Sequence, residues 1–258
     1  MQLTILGTGN VATVLGKTFQ AKGHSILGVW GRNAAAAKEL ATSLQATAYD
    51  SIAALPKDAD AYMIAVADPA ITAVAQQLQV QDKLVFHCGG AVPKDVLLQC
   101  SNHYGVLWPV HMIRKGQNLP DAFPVVVDAN NAKALQQLEV LAAALSTKTL
   151  YADDAKRSRM HLLTATAVNF SNHLLHLVWQ HAAAHDIDPH FLLGILDNML
   201  KGLQQHAPSA QQAGPAFRGD IAKLQEQLQL LTDDPALQEV YAYMSQQILN
   251  TYHPGKKL

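Results

Sequence analysis

The order of strand-like and helix-like segments constrains the fold of this chain more than any other feature. Up to about residue 150, short apolar runs that fit β-strands alternate with segments of helical periodicity. The strand candidates are residues 3–6, 25–30, 61–66, 83–87, 105–109, 123–127 and 148–152, and the helical patterns cover residues 11–22, 34–45 and 69–78. Strands that alternate with helices usually pair in parallel through right-handed crossovers. This half of the chain therefore predicts a mostly parallel sheet with helices on both faces.

The pattern changes after Asp153, where no convincing strand follows. Helical patterns fill residues 155–184, 189–204, 216–231 and 235–250. Pro235 directly follows two aspartates, which is a favourable helix start because proline fits the first helical position. The sequence therefore predicts an α/β domain over residues 1–152 and a helical domain over residues 153–258.

The first predicted strand leads into a glycine-containing turn at the start of the first predicted helix. Residues 7–12 form the pattern GxGxxA. In dinucleotide-binding folds, the first glycine permits a tight turn, the second lets the backbone approach a pyrophosphate, and a small third residue allows close helix–strand packing. The pyrophosphate then lies at the positive end of the helix. We predict that it contacts Gly7, Thr8, Gly9, Asn10 and Val11, although a tight turn without a ligand is the alternative. The fold class is thus an α/β Rossmann-type, mostly parallel sheet domain followed by an all-α helical domain.

Arg32 and Asn33 follow the second predicted strand, where many NAD-binding chains carry an acidic residue. Arg32 lies 23 residues after Gly9, and no aspartate or glutamate occurs between Ser25 and Lys38. A carboxylate at this place would hold the ribose 2′-hydroxyl of NAD, whereas an arginine suits the 2′-phosphate of NADP. We therefore predict NADP as the cofactor, with Arg32 and Asn33 at the 2′-phosphate. The alternative is that Arg32 is a solvated loop residue.

Two further loops are expected to reach the cofactor, because ligands in such sheets bind beyond the carboxyl ends of the strands. Ala67 and Asp68 follow the third predicted strand, and His87, Cys88 and Gly89 end or follow the fourth. We predict that Ala67, Asp68, His87 and Gly89 contact the cofactor. No sequence neighbour of Cys88 would activate a thiol, so we expect it to pack inertly.

Four polar residues recur on one face of the mostly apolar helical pattern at residues 155–184. At about 100° per residue they fall within a stripe of about 80°. They are His161, Asn169, Asn172 and His176. A buried polar group without a partner costs about 1–3 kcal/mol, so such a stripe needs water, a ligand or a second chain. We predict that the stripe lines the substrate cleft, and a polar seam between helices is the alternative.

The roles of the remaining polar candidates stay open. In the segment 211–220, glycine and proline force a turn before a helix that begins near Arg218. An arginine near a helix N-terminus is disfavoured by the helix dipole, so it should have a partner such as Asp220, a cofactor phosphate or a substrate carboxylate. A simple helix-capping turn explains the segment equally well. His111 ends the fifth predicted strand and either contacts substrate or is an exposed structural histidine, and His176 is equally open.

The composition excludes several classes of protein. Charged residues make up only 15% of the 258 residues and the formal net charge is -1, so no bulk positive field attracts nucleic acid or an anionic membrane. The two cysteines cannot form a disulfide framework. No apolar stretch approaches the roughly 18 residues that span a bilayer, and the first residues lack the basic region of a signal peptide. We expect a cytoplasmic protein with no membrane or nucleic-acid partner and no metal site.

Several of these motifs together resemble one known family. They are GTGNVA (7–12), HCGGA (87–91), VLWPVHM (106–112), HLLTATAVNFSNHL (161–174) and QAGPAFRGD (212–220), and they are spread over nearly the whole chain. The family couples a Rossmann-like NADP-binding domain to a helical region called domain of unknown function 2520. It belongs to a wider group similar to 6-phosphogluconate dehydrogenase, with relatives among pyrroline-5-carboxylate reductases, ketopantoate reductases and deazaflavin-dependent NADP reductases. The resemblance implies NADP binding, a helical second domain and dimerisation through that domain, but it implies no particular substrate.

The chain departs from the wider group at the catalytic residues. Many of its β-hydroxyacid dehydrogenases carry a lysine and an asparagine on the long helix after the nucleotide domain, but here that helical pattern contains no lysine after Lys156. Carbonyl reduction needs a proton donor near the hydride acceptor, and histidine can serve near neutral pH. We therefore predict His161 as general acid, with Asn169 and Asn172 as hydrogen-bond donors to the substrate.

The sequence as a whole predicts an NADP(H)-dependent oxidoreductase that transfers a hydride to or from a small carbonyl or imine substrate. A homodimer through the helical domain is expected. The alternative is an NADP(H)-binding sensor or scaffold without turnover, which the missing lysine favours. Transfer of hydride to a flavin-like carrier is a third hypothesis.

Overall fold

The computed structural model describes all 258 residues and divides them into two compact units. The first unit comprises Met1–Thr164 and the second Ala165–Leu258. This division places the helix at Asp154–Thr164 in the same unit as the sheet. The predicted boundary between residues 152 and 153 assigns that helix to the helical domain instead. The predicted boundary stays a prediction.

The first unit is built on an eight-stranded sheet with the order β3-β2-β1-β4-β5-β6-β7-β8. The strands are β1 (Gln2–Leu6), β2 (Ser25–Trp30), β3 (Thr47–Tyr49), β4 (Ala61–Ile64), β5 (Gln81–His87), β6 (Ser101–Pro109), β7 (Pro124–Ala129) and β8 (Lys148–Tyr151). All neighbouring strands are parallel except β6 and β7, which pair antiparallel. The loop 110–123 joins these two strands without a helix, and such a connection suits an antiparallel neighbour. The predicted mostly parallel sheet is confirmed.

Helices cover both faces of this sheet, as the sequence predicts. They are α1 (Asn10–Ala21), α2 (Ala34–Ser43), α3 (Asp68–Ala75), α4 (Ala132–Leu145) and α5 (Asp154–Thr164), with a short 3-10 helix at Lys94–Leu97. Successive side chains of a strand point to opposite faces. Met63 of β4 accordingly packs in the core with α1, α2 and α4, whereas its neighbours Tyr62 and Ile64 pack in the core with α3.

Two elements of the first unit lie outside the sequence-based prediction. Strand β3 has only three residues and lies at the sheet edge beside β2, so it carries little apolar signal. Helix α4 connects β7 to β8, and the Asn131 side chain caps it by accepting a hydrogen bond from Ala134 N at 3.0 Å. The crossover through α4 explains why β7 and β8 are parallel.

The second unit is helical, as predicted. It contains a π-helix at Ala165–Phe170, α6 (Ser171–Ala184), a 3-10 helix at Pro189–Leu192, α7 (Leu193–Gly202), α8 (Pro208–Gln211), α9 (Pro215–Arg218), α10 (Ile221–Gln229) and α11 (Pro235–Tyr252). The predicted helix at 216–231 is two helices, because Gly219 adopts a left-handed φ of 70° between α9 and α10. Asp220 then caps α10 through Lys223 N at 3.1 Å.

Many large apolar side chains of the second unit are exposed. Several lie on or near α6 and α7, namely Phe170 (66%), Phe191 (63%), Ile195 (65%) and Leu200 (59%), and Leu230 (68%) directly follows α10. The buried clusters of this unit are small, for example Leu177, Leu231 and Leu237. No helix of the chain combines the length and the apolar character that crossing a membrane requires.

Candidate functional site

The turn after β1 forms the floor of a cavity at the carboxyl ends of β1, β2 and β4. Gly7 has a φ of 133°, and a Cβ there would overlap the carbonyl of Ala65, the residue directly after β4. Gly7 N also donates to Trp30 O of β2 at 2.7 Å. Gly7 is therefore required because the ends of β1, β2 and β4 approach each other closely. The strand order reverses between β1 and β4, and ligands of such sheets usually bind at this point.

The cavity has a volume of about 310 Å³. It is lined by Gly7, Thr8, Gly9, Trp30, Gly31, Arg32, Asn33, Ala65, Val66, Ala67, Ala70 and Val74. Six of the residues predicted to bind the cofactor thus line one cavity. They are Gly7, Thr8, Gly9, Arg32, Asn33 and Ala67. A larger cavity of about 630 Å³ lies towards the far end of α1 and borders no predicted site residue.

Gly9 faces open space at the start of α1. A Cβ on Gly9 would meet no atom within 4 Å. Gly9 is the N-cap of α1. No side chain accepts a hydrogen bond from the N–H groups of the first helical turn, which starts with Asn10 and Val11. Uncapped N–H groups and the helix dipole favour an anion at this place. The space and the donors therefore fit a pyrophosphate group.

Arg32 is exposed at the rim of this cavity. It makes no hydrogen bond or ion pair within the chain, so its guanidinium is available to a ligand. The side-chain oxygen of Asn33 accepts a hydrogen bond from Ala36 N at 3.0 Å and caps α2, which leaves only the Asn33 amide nitrogen for a ligand. No acidic residue lines the cavity.

The loops after β4 and β5 lie side by side. A Cβ on Gly89 would lie 2.9 Å from the Asp68 carboxylate, so the two predicted residues are neighbours. Burial of the Cys88 thiol, together with the nearby charge of Asp68, raises the pKa of Cys88 to about 12. A thiol with such a pKa stays protonated near neutral pH, which agrees with inert packing.

His87 is turned into the protein and is completely buried. Its Nδ1 accepts a hydrogen bond from Gly89 N at 3.2 Å, and its Nε2 lies 3.3 Å from Pro93 O, to which it donates. Burial lowers the pKa of His87 to about 4, the Pro93 carbonyl opposes the shift, and the Arg157 charge adds to it. Both ring nitrogens are therefore used to hold the loop after β5, and the side chain presents no free nitrogen.

His161 lies beside this loop near the carboxyl ends of β5 and β6. Its ring centroid is 5.7 Å from that of Trp108 at the end of β6. A Cβ on Gly90 would lie 2.6 Å from the Trp108 ring and 2.8 Å from the His161 ring, so only glycine allows both rings to pack here. The half-buried imidazole thus stands at the same sheet edge as the cavity.

Asn169 and Asn172 belong to the second unit and are exposed. Asn169 lies in the π-helix Ala165–Phe170, and Asn172 follows in the first turn of α6. The predicted stripe assumed about 100° per residue along one α-helix, but a π-helix holds more residues per turn. The angular positions calculated across this segment are therefore wrong. π-Helical turns occur often at functional sites, which keeps this segment of interest.

A buried ion-pair network contacts the loop after β5 through the carbonyl of Val92. Arg157 of α5 is 1% exposed, and its guanidinium donates to Asp128 at 3.3 Å, to Asp154 at 2.5 Å and to Val92 O at 2.6 Å. Lys94 contributes an ion pair to Asp128 at 3.0 Å. Burial opposes ionisation of Asp154, but hydrogen bonds from Arg157 and from Lys94 N outweigh it and lower the pKa of Asp154. Sequence reasoning missed this network, because an arginine three residues after an aspartate usually marks an exposed helical pair.

The segment that holds Arg218 is fixed by the C-terminal residues of the chain. His253 Nε2 donates to Phe217 O at 2.7 Å, and Lys256 donates to Gly219 O at 3.0 Å. Asp220 caps α10 and forms no ion pair with Arg218, which is exposed. His111 is exposed, with its ring 5.5 Å from that of Phe123.

Two family models match separate parts of the chain. Residues 2–88 match the family described as NADP oxidoreductase, coenzyme F420-dependent, and residues 123–248 match the domain of unknown function DUF2520. A search of curated proteins found no match. The family resemblance inferred from the motifs is confirmed by these two models.

Solved structures share the fold over almost the whole chain. Protein BF3122 of Bacteroides fragilis, provisionally assigned as an NADP oxidoreductase, is 27% identical with a TM-score of 0.87, and the match covers 96% of this chain and 97% of that one. An imine reductase from Myxococcus stipitatus in complex with NADP+ is 16% identical with a TM-score of 0.70, covering 99% and 95%. The 1-pyrroline-5-carboxylate reductase of Streptococcus pyogenes is 14% identical with a TM-score of 0.62, covering 96% and 98%. The chain thus carries a segment similar to the NADP oxidoreductase, coenzyme F420-dependent, family, followed by a segment similar to the DUF2520 domain.

Proposed function

We propose that this protein is an NADP(H)-dependent oxidoreductase that transfers a hydride to or from a small carbonyl or imine substrate. The observation that carries the proposal is the cavity that brings the glycine turn of β1 together with the unpaired Arg32. The oxidoreductase class and the NADP cofactor agree with the family model at residues 2–88 and with the names of the structural neighbours. The comparisons give no support to a sensor or scaffold without turnover.

The glycine turn and the start of α1 would hold the pyrophosphate, and Arg32 would hold the 2′-phosphate. The open space over Gly9 and the uncapped N–H groups of α1 support the first role. The exposed guanidinium, free of internal partners, supports the second. The loops at Ala67, Asp68 and Gly89 would border the nicotinamide end, while the His87 side chain would act by holding its loop.

Cofactor preference tests the role of Arg32. A charge-assisted hydrogen bond contributes about 1.5–3 kcal/mol, which corresponds to about 10–150-fold in affinity. Calorimetry should show that Arg32→Gln weakens NADPH binding by about this factor and leaves NADH binding unchanged. Lys22→Gln, at the far end of α1, removes an equal charge and should change neither affinity. Equal losses for both cofactors, or none, would remove Arg32 from the 2′-phosphate site.

His161 would supply the proton that a carbonyl or imine takes up on reduction, and Asn169 and Asn172 would donate hydrogen bonds to the substrate. When bound, NADP(H) supplies the hydride chemistry. The contact of His161 with Gly90 and Trp108 fixes the imidazole near the carboxyl ends of β5 and β6. General acid catalysis typically contributes about 100–10,000-fold. We expect His161→Gln to lower kcat by at least about 100-fold with unchanged NADPH affinity, and the exposed His206→Gln to have no effect.

The substrate can be sought by following NADPH absorbance with imines, keto acids, aldehydes and flavin-like acceptors. Cyclic imines and amine–ketone mixtures come first, because several structural neighbours are named as imine reductases or a reductive aminase. Turnover with one class that depends on His161 would support the proposal. Tight NADPH binding with no oxidation across the panel would favour the sensor instead.

The protein would act as a cytoplasmic homodimer. The exposed apolar residues of α6 and α7 support self-association through the helical unit, since contiguous apolar surface usually marks an interface. Both cysteines are free, which suits a reducing compartment. Light scattering after gel filtration should give a dimer for the wild type and a monomer for Ile195→Glu. Val140→Glu, an equally drastic change at a 50% exposed residue of α4, should remain dimeric.

A further inference from the structure

A cluster of histidine and aspartate side chains lies away from the cofactor cavity, where the end of α6 meets the start of α11. His181 and His185 are four residues apart, so they lie on one face of the last helical turn, and their ring centroids are 4.4 Å apart. Asp233 and Asp234 directly precede α11 and face the two rings. The four side chains therefore converge from two helices on one place.

We propose that His181, His185 and Asp233 form a binding site for a divalent transition metal ion, with Zn²⁺ as the expected occupant. One potential ligand atom of each residue lies within 4.8 Å of the others. His185 Nε2 and Asp233 Oδ2 are 3.1 Å apart, close to the separation of about 3.4 Å that two ligands of a tetrahedral zinc ion have. Side-chain rotation would have to bring the third ligand atom closer to the other two, because ligand atoms of a shared tetrahedral ion lie nearer together than 4.8 Å.

Asp234 would orient one ligand from outside the coordination sphere. Its Oδ1 accepts the capping hydrogen bond from Leu237 N at 3.1 Å, which fixes the carboxylate. Its Oδ2 lies 3.2 Å from His181 Nδ1. A carboxylate bonded to one ring nitrogen of a histidine commonly orients the ring and strengthens the other nitrogen as a metal ligand.

Ion pairing alone explains the cluster less well than a metal does. The His185 and Asp233 side chains are 40% and 57% exposed, where an ion pair contributes little to stability. Two neutral imidazoles and one carboxylate instead form a donor set that zinc prefers, with a fourth position open to water. The sequence predicts no metal site, because the histidines and the aspartate lie far apart along the chain.

The metal would join α6 to α11 in the helical unit and stabilise that unit, because a ligand that binds only the folded chain shifts the unfolding equilibrium. The experiment uses untagged, full-length protein stripped with a chelator. Titration with Zn²⁺ against a chromophoric chelator should show one ion per chain with a micromolar or lower Kd. Zn²⁺ at about 100 times that Kd should raise the Tm by several degrees, and Co²⁺ should give the visible absorption of a low-symmetry, nitrogen-ligated site.

Three variants separate this site from general surface binding. Asp233→Asn keeps the side-chain shape and His185→Ala affects an exposed residue, so both should fold, and each should weaken Zn²⁺ binding at least tenfold and abolish the Tm shift. His190→Ala disrupts an exposed histidine–aspartate pair that has no second histidine, and it should bind Zn²⁺ like the wild type. Absence of stoichiometric binding by the wild type, or wild-type Zn²⁺ affinity in Asp233→Asn and His185→Ala, would overturn the proposal.

Discussion

Substitution of the buried Arg157 by methionine should cost more stability than removal of any surface charge of this protein. The methionine fills much of the volume but leaves Asp154, Asp128 and Val92 O without the donors that the guanidinium supplies. Removing one partner of a buried ion pair costs about 3–5 kcal/mol, because the remaining charge stays buried without compensation. Lys94 still donates to both carboxylates, so we expect the lower half of that range.

Urea unfolding followed by tryptophan fluorescence measures this loss, since Trp108 lies in the same unit. We expect the midpoint to fall with little change in m, and the Tm to fall by about 2–4 °C for each kcal/mol lost. Arg157→Lys should give an intermediate value, because a lysine keeps the charge but cannot make three divergent hydrogen bonds. Lys201→Met breaks an exposed ion pair with Asp197 and should change stability by at most about 0.5 kcal/mol. A loss below about 1 kcal/mol for Arg157→Met, or one equal to that of Lys201→Met, would refute the reasoning.

Other consequences of the same geometry can be measured in parallel. His87 stays neutral in the folded chain to about pH 4, whereas the unfolded chain takes up a proton near pH 6.5, so stability should rise with pH across that window. The difference in pKa corresponds to about 3 kcal/mol in the free energy of unfolding. Urea titrations should show that the wild type loses most of this free energy between pH 7 and pH 4, and that His87→Gln loses less. Parallel curves of unfolding free energy against pH would contradict this. Gly7→Ala should destabilise by about 1–3 kcal/mol because its φ is 133° and a Cβ would overlap a neighbouring carbonyl. Gly9→Ala meets no atom and should leave the Tm unchanged while it weakens NADPH binding; an equal Tm loss for both variants would show that Gly9 acts only in the turn.

The sequence could predict the sheet because its signals are local. The apolar runs that form β1, β2 and β4 are buried on both faces, and helices α1 and α2 begin within one residue of their predicted starts. The elements that were missed have weak local signals. Strand β3 is a three-residue edge strand, and the π-helix at Ala165–Phe170 has no known periodic signature that distinguishes it from an α-helix.

The candidate site could be predicted in part, for the same reason. Gly7, Gly9 and Arg32 follow strand ends directly, so knowledge of the strands places them at one edge. Trp30 and Val74, which also line the cavity, carry no sequence signal beyond being apolar. The roles of Asp128 and Arg157 depend on contacts between β7 and α5, which are distant in sequence and cannot be read from the spacing of residues.

The antiparallel pairing of β6 with β7 affects how this chain could recombine with its relatives. The DUF2520 match begins at residue 123, just before β7, yet β7 pairs along Val125–Ala129 with β6 from the preceding segment. A chimera joined at that point would take the two halves of this ladder from different parents, and their side chains would have to fit across it. A fragment that starts there would leave an apolar strand edge open to pairing with other molecules. The unit that is inherited as a family domain therefore begins inside the sheet, not at its border.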